Sequence, residues 1–170
     1  MKFFIRSDKF IGFFRTPGQI QVGDTIYADS FKFSDSALTR PMGPSYAHYS
    51  VVDSQSMGNR QFRVKAMSQR VLDFLRDGVV TVSGVSEQVF TLSEDDRIVK
   101  SNVLSNTLTI TGGSGKFDDV SGNYDVETMD NGVHVGHLRH ACRKSKWSVY
   151  WICIILVAIV LGYFFLSTSW

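Results

Sequence analysis

Ile110-Thr111-Gly112-Gly113-Ser114-Gly115-Lys116-Phe117, followed after two aspartates by Val120-Ser121-Gly122, is the stretch on which the fold turns. Gly112, Gly113 and Gly115 allow backbone angles closed to other residues, so the chain can bulge and reverse sharply there. Upstream, residues 98–110 alternate, with Ile98, Leu104, Leu108 and Ile110 on one face and mostly Ser and Thr, with Val99 and Val103, on the other. Downstream, Tyr124 and Val126 share the inner face of 122–128, and Asp125 and Glu127 fall outside. A period of two on both sides of a glycine-rich reversal reads as strand, turn, strand. The Gly115-Lys116 pair also brings a phosphate-cradling loop to mind. That motif needs Gly at 110, Ser or Thr after the Lys, and a helix beyond. Here those places hold Ile110 and Phe117, and a strand follows.

Working outward, short runs rich in Val, Ile, Thr, Phe and Tyr lie between glycine turns across the first 146 residues. Strands are predicted near 24–33, 46–53, 60–75, 78–92, 98–110, 121–130 and 133–140, with a short one near 2–6. Asp77-Gly78 and Asn131-Gly132 are the strongest hairpin turns, because each pair tolerates positive φ. Met57-Gly58-Asn59 and Ser93–Asp96 read as longer turns. Seven or eight such strands without a soluble helix predict an all-β fold, an antiparallel barrel of about eight strands or a sandwich. An eight-stranded barrel can enclose a small apolar cavity, which Phe62, Leu104 and Tyr124 would fill if they pack inward.

The end of the chain has a different character. From Trp147 to Trp170 there is no charged residue and no histidine. Residues 147–166 are long enough to cross a bilayer as one helix, about twenty residues at ~1.5 Å each. Trp147, Tyr150 and Trp151 at one end, and Tyr163 and Trp170 at the other, suit the two interfaces. The chain's net charge of +2 divides unevenly. Residues 1–138 carry 14 basic and 16 acidic side chains, a net of −2, while Arg139, Arg143, Lys144 and Lys146 form a basic collar before the apolar run. That collar places residues 1–146 on the cytoplasmic side by the positive-inside rule. It also accounts for the basic pI without a nucleic-acid surface. The expected organisation is a barrel over 1–140, a juxtamembrane linker over 141–146, a transmembrane helix over 147–166 and a short tail over 167–170.

Other chemistry-bearing residues give weak patterns. Both cysteines, Cys142 and Cys153, lie in the collar and the apolar run, so the globular part cannot carry a disulfide framework. With no Asn-x-Ser/Thr sequon, this agrees with a reducing compartment. His134, His137 and His140 with Cys142 raise a metal site, but on a strand His134 and His140 share a face from which His137 points away. Glu94-Asp95-Asp96 and Asp118-Asp119 read as charged turns. No metal and no cofactor are expected.

The Thr111-Gly112-Gly113-Ser114-Gly115-Lys116-Phe117 turn with Val120-Ser121-Gly122 resembles the signature of the allene oxide cyclase and dirigent barrel superfamily. Gly23-Asp24 with Phe33-Ser34-Asp35, and Asp77-Gly78-Val79-Val80-Thr81-Val82-Ser83-Gly84, are similar to two further family segments. The resemblance runs from about Gly23 to His140. It implies a barrel that holds a hydrophobic small molecule and steers its cyclisation, isomerisation or coupling by geometry. It sets Ser30 where the plant cyclases carry a cavity asparagine, Tyr49 at or near a cavity cysteine, and Ile26 at an apolar wall. Ile26, Ser30, Tyr49, Leu108, Tyr124 and Val126 are the cavity candidates, and Gly112, Gly113, Gly115 and Gly122 are structural. The expectation is thus a barrel tethered to a lipid bilayer that binds a hydrophobic small molecule, its catalytic status left open. The alternative is a non-catalytic scaffold at a membrane surface. A homo-oligomer is left open, since family relatives often trimerise through the barrel wall.

Overall fold

In the computed structural model, which describes residues 1–129 and 131–142, eight antiparallel strands close into a barrel in simple sequence order. They are β1 (Lys2–Phe13), β2 (Thr25–Phe33), β3 (Pro41–Gly58), β4 (Gln61–Asp73), β5 (Val79–Leu92), β6 (Ile98–Gly113), β7 (Val120–Thr128) and β8 (His134–Cys142). The first strand then pairs with the last, Lys2–Ile5 lying opposite His137–His134. The barrel alternative therefore stands and the sandwich does not. Closure pairs the first and last strands, which an open sheet of this size would leave as edges.

The glycine-rich reversal sits where the sequence places it. Gly112 and Gly113 end β6, and Gly115–Phe117 forms one 3-10 turn before β7. Gly115 has φ +64°, a left-handed angle that other residues adopt at a cost. The turn carries Phe117 inward, where its ring lies 4.9 Å from that of Phe74 and plugs one end of the barrel.

Three expectations need correction. The short strand near 2–6 is the first half of twelve-residue β1, whose alternation is broken by a bulge between Ser7 and Lys9. The strand expected over 46–53 extends to 41–58, because Pro41 and Pro44 are accommodated beside the register shift at Lys32/Phe33. Leu104 points out of the barrel and is 52% exposed. Its register explains why. Val103 pairs with Gln88 and Ser105 with Glu87, so Leu104 is an extra residue, as Val99 is between the Ile98 and Lys100 pairings. Each bulge swaps the faces. Ile98 is inward on one parity, Ser101 on the other, and Asn106, Leu108 and Ile110 on the first again.

The interior has two apolar ends. At the end closed by the turn residues 74–78 and 114–119, Phe3, Leu72, Val80, Leu108, Tyr124 and Leu138 pack together. At the other, Ile26, Tyr49, Phe62, Phe90 and Ile98 pack under Ile20 of the 14–24 loop. The expected transmembrane stretch 147–166, the tail, and the collar residues Arg143, Lys144 and Lys146 lie outside the described residues. Among the described residues no helix is long and apolar enough to cross a membrane. Strand β8 runs two residues past the barrel boundary read from the sequence.

Candidate functional site

The barrel wall is joined unevenly around its circumference. β1 is laddered to β8 only as far as Ile5, and β6 to β7 only over Thr107–Thr109. Beyond those points the second half of β1 and the first half of β6 run side by side, with no ladder between them among the described residues. A cleft of about 280 Å³ opens along this seam, lined by Ile5, Phe10, Val99, Ser101, Val133 and His134. Its size approaches that of a small-molecule site, and its walls mix apolar side chains with a few polar groups.

Behind the cleft, a polar belt separates the two apolar ends. In β4 the inward residues run Phe62, Val64, Ala66, then Ser68 and Arg70, then Leu72. In β5 they run Val80, Val82, then Ser86 and Gln88, then Phe90 and Leu92. Ser30 of β2, Ser45 of β3, Ser101 and Asn106 of β6 and His134 of β8 are buried at the same level. Hydrogen bonds lead inward from the cleft wall. Ser101 Oγ donates to Gln88 Oε1 at 2.8 Å, Gln88 Nε2 donates to Ser86 Oγ at 3.3 Å, and the Ser86 and Ser68 hydroxyls are bonded to each other. Ser30 Oγ donates to Ser7 Oγ at 3.3 Å on the β1 side.

Two buried cations meet different fates. Lys32 donates its ammonium protons to the carbonyls of Gly43, Pro44 and Asp73, and sits 4.7 Å from the Phe74 ring centroid. Burial pushes its pKa down to about 8, with the Asp73 charge working the other way. All three of its donors are used. Arg70, 7% exposed, donates Nη2–H to the Tyr49 hydroxyl at 2.5 Å and packs its guanidinium near the rings of Tyr49 and Tyr124. Burial works against its charge while the two tyrosine oxygens favour it, and the balance holds its pKa above the ordinary value. No carboxylate pairs with it among the described residues. Its Nε and both polar atoms of the Asn106 amide are buried without a hydrogen-bond partner, and the Tyr124 hydroxyl, which faces the Arg70 guanidinium, has no acceptor for its own proton. Burial raises the Tyr124 pKa to about 12, with Arg70's charge pulling the other way, so this phenol is a neutral donor.

His134 joins cleft to belt. It lines the cleft, bonds Thr128 Oγ1 through Nδ1 at 2.9 Å, and is held neutral by burial and then by Arg70's charge, its pKa pushed down to about 4. His137 instead faces Glu127 outside at 3.1 Å, and His140 is exposed beside the Phe117 ring. The three histidines do not converge, and no group of three metal-ligating side chains occurs among the described residues. Asp96 of the acidic turn is ion-paired with Arg60.

All six cavity candidates point inward, but they do not line one cavity. Ile26 and Tyr49 belong to one apolar end, and Leu108, Tyr124 and Val126 to the other. Ser30 lies in the belt between them. Arg70 is the side chain that brings Tyr49 and Tyr124 together. Arg139, read as part of the collar, stands on the outside of β8, with Nε 3.3 Å from Asp125 Oδ2. Sequence reading missed Arg70, Asn106 and Gln88. The available signal was parity: in β4 Arg70 shares a face with Val64, Ala66 and Leu72.

No family model matches the chain, and no curated protein sequence does. Among solved structures it is similar to pyocyanin demethylase, at a TM-score of 0.59 and 13% identity, over 83% of this chain and 98% of that one. At that identity the likeness is one of fold: a closed, antiparallel β-barrel domain is what the two chains share.

Proposed function

We propose that this protein is a membrane-tethered barrel that admits a small organic molecule through the β1–β6 cleft and holds it against the polar belt. The observation that carries the reading is the set of buried, unpartnered polar atoms on Arg70 and Asn106, with the Tyr124 O–H lacking an acceptor beside them, behind an opening in the wall. Unsatisfied groups of this kind cost about 1–3 kcal/mol each and are rare in folded interiors. The name of the similar barrel, a pyocyanin demethylase, adds that this architecture accommodates a small organic substrate elsewhere. The allene oxide cyclase and dirigent resemblance points the same way. His134 is neutral and Tyr124 keeps its proton, so cyclisation or isomerisation here would be steered by confinement and hydrogen bonding. The apolar stretch 147–166 and its basic collar would tether the barrel to a bilayer, which is a supply of lipid-soluble molecules, with the cleft at the opposite end of β8 from the collar.

The test is native mass spectrometry of the full chain released from detergent. One recurrent small-molecule mass supports the reading. A barrel that arrives empty, and stays empty when offered fatty-acid and phenolic mixtures, refutes it.

A scaffold reading draws on a separate observation. The outer wall of β1–β3 exposes Phe13, Tyr27, Phe31 and Tyr46, with Tyr27 stacked on His48 at 4.9 Å. Those rings suit a protein partner or a second copy of the chain. An empty barrel that self-associates, and loses that association in Tyr27→Ser/Tyr46→Ser, would favour it.

A further inference from the structure

We infer that the guest is a monoanion: a carboxylate on a small apolar body, its carboxyl group received by Arg70 with Asn106 and Tyr124. This deepens the small-molecule reading and rests on it. The argument is one of charge. Inside the barrel Arg70 faces Tyr49, Tyr124 and the neutral His134, and no carboxylate among the described residues. Asp24, a buried acid, spends its oxygens on the backbone N–H groups of Arg15 and Gln21 at the 14–24 loop. Buried charges in folded proteins are paired, and one left alone costs several kcal/mol. Water could satisfy the Asn106 amide and the Tyr124 hydroxyl, but it supplies no charge. A carboxylate supplies the missing charge and acceptors for the Arg70, Asn106 and Tyr124 donors, and leaves the Asn106 carbonyl oxygen to a water.

The stoichiometry of charge sets the class. One guanidinium neutralises one carboxylate and offers the planar fork that a carboxylate fits. A phosphate dianion would leave surplus negative charge in the belt. The remaining buried cation, Lys32, is occupied by three backbone carbonyls. The donors agree: Arg70 Nε–H, the Asn106 amide N–H and the Tyr124 O–H have nothing to give to. The body of the guest follows from the cleft, whose walls carry Ile5, Phe10, Val99 and Val133 beside Ser101 and His134, with Arg6 and Lys100 adding positive charge there.

Sodium benzoate and benzamide differ in charge but hardly in shape, and test this on the full chain in detergent. Calorimetric titration should give benzoate about tenfold tighter binding or more, the size of a charge-assisted bidentate contact. Arg70→Met should bring the two probes to within about twofold of each other. Without ligand, Arg70→Met should melt close to the parent, because relief of a desolvated charge with no carboxylate partner offsets the lost bond to the Tyr49 hydroxyl. Arg70→Gln gives the same comparison of probes if the Met variant fails to fold. Equal affinity for the two probes overturns the anion inference and leaves small-molecule binding standing. So does an Arg70→Met variant that melts well below the parent yet keeps its benzoate preference, which would make Arg70 a strut between Tyr49 and Tyr124. If neither probe binds, the copurified mass decides. An organic acid upholds the inference, a neutral guest overturns it alone, and an empty barrel overturns both readings.

Discussion

His134 makes the belt's electrostatics measurable. In the folded barrel its pKa lies near 4, lowered by burial and then by Arg70, against about 6.5 in an unfolded chain. Between those values the unfolded chain takes up a proton that the folded chain refuses. The stability associated with neutral His134 is therefore complete above about pH 6.5 and drains away as the pH falls toward 4. Two and a half units at about 1.36 kcal/mol each set the loss at roughly 3 kcal/mol. His134→Gln removes the titration and leaves an amide able to reach the Thr128 hydroxyl. Urea denaturation of the full chain in detergent at pH 7 and pH 4.5 checks it. Carboxylates titrate in both proteins, so the difference between the two profiles carries the result. The parent should lose about 2 kcal/mol more than the variant over that interval. Parallel profiles would refute the burial and the coupling to Arg70 alike. A matching NMR titration should find the His134 pKa raised in Arg70→Met, since a neighbouring positive charge has gone.

Three further outcomes test the framework. Leu108→Ala should cost about 2–5 kcal/mol in chemical denaturation, as a fully buried leucine, and Leu104→Ser about 0.5 kcal/mol or less; equal costs would contradict the bulge that separates their faces. Gly122→Ala should destabilise by more than about 2 kcal/mol, because its Cβ would lie 2.0 Å from the Arg139 carbonyl at φ +144°. Gly58→Ala, with nothing within 4 Å, should cost only the left-handed penalty of about 1 kcal/mol. Deleting residues 147–170 should move the protein from the membrane fraction to the supernatant on carbonate-free fractionation; a truncated chain that still pellets with membranes would place the tether elsewhere.

The barrel was legible because its turns are written in residues with one physical use. Asp77-Gly78 and the Gly112–Gly115 run mark reversals, and the alternation of 122–128 places Tyr124 and Val126 inside as expected. Bulges were not legible. Nothing in Asn102-Val103-Leu104-Ser105 announces an extra residue, and without it Leu104 counts inward and Ser101 outward. The same arithmetic hid the rest of β1, where the irregularity at Ser7/Lys9 interrupts the pattern. The belt was missed for a different reason. Serines in a strand ordinarily signal the solvent face, yet the parity of Ser68 and Ser86 matches that of buried Ala66 and Val82. Ser30 and Tyr49 were reached through family resemblance, whereas Arg70, which sits between Tyr49 and Tyr124, has no counterpart in that pattern.

An X-ray structure of the full chain grown with sodium benzoate tests the central claim most directly. The account predicts density running from the β1–β6 cleft into the belt, with the carboxylate on Arg70 Nε and within hydrogen-bonding reach of Asn106 and Tyr124. Benzoate on the outer wall beside Tyr27 and Tyr46, with only ordered water in the belt, would contradict it.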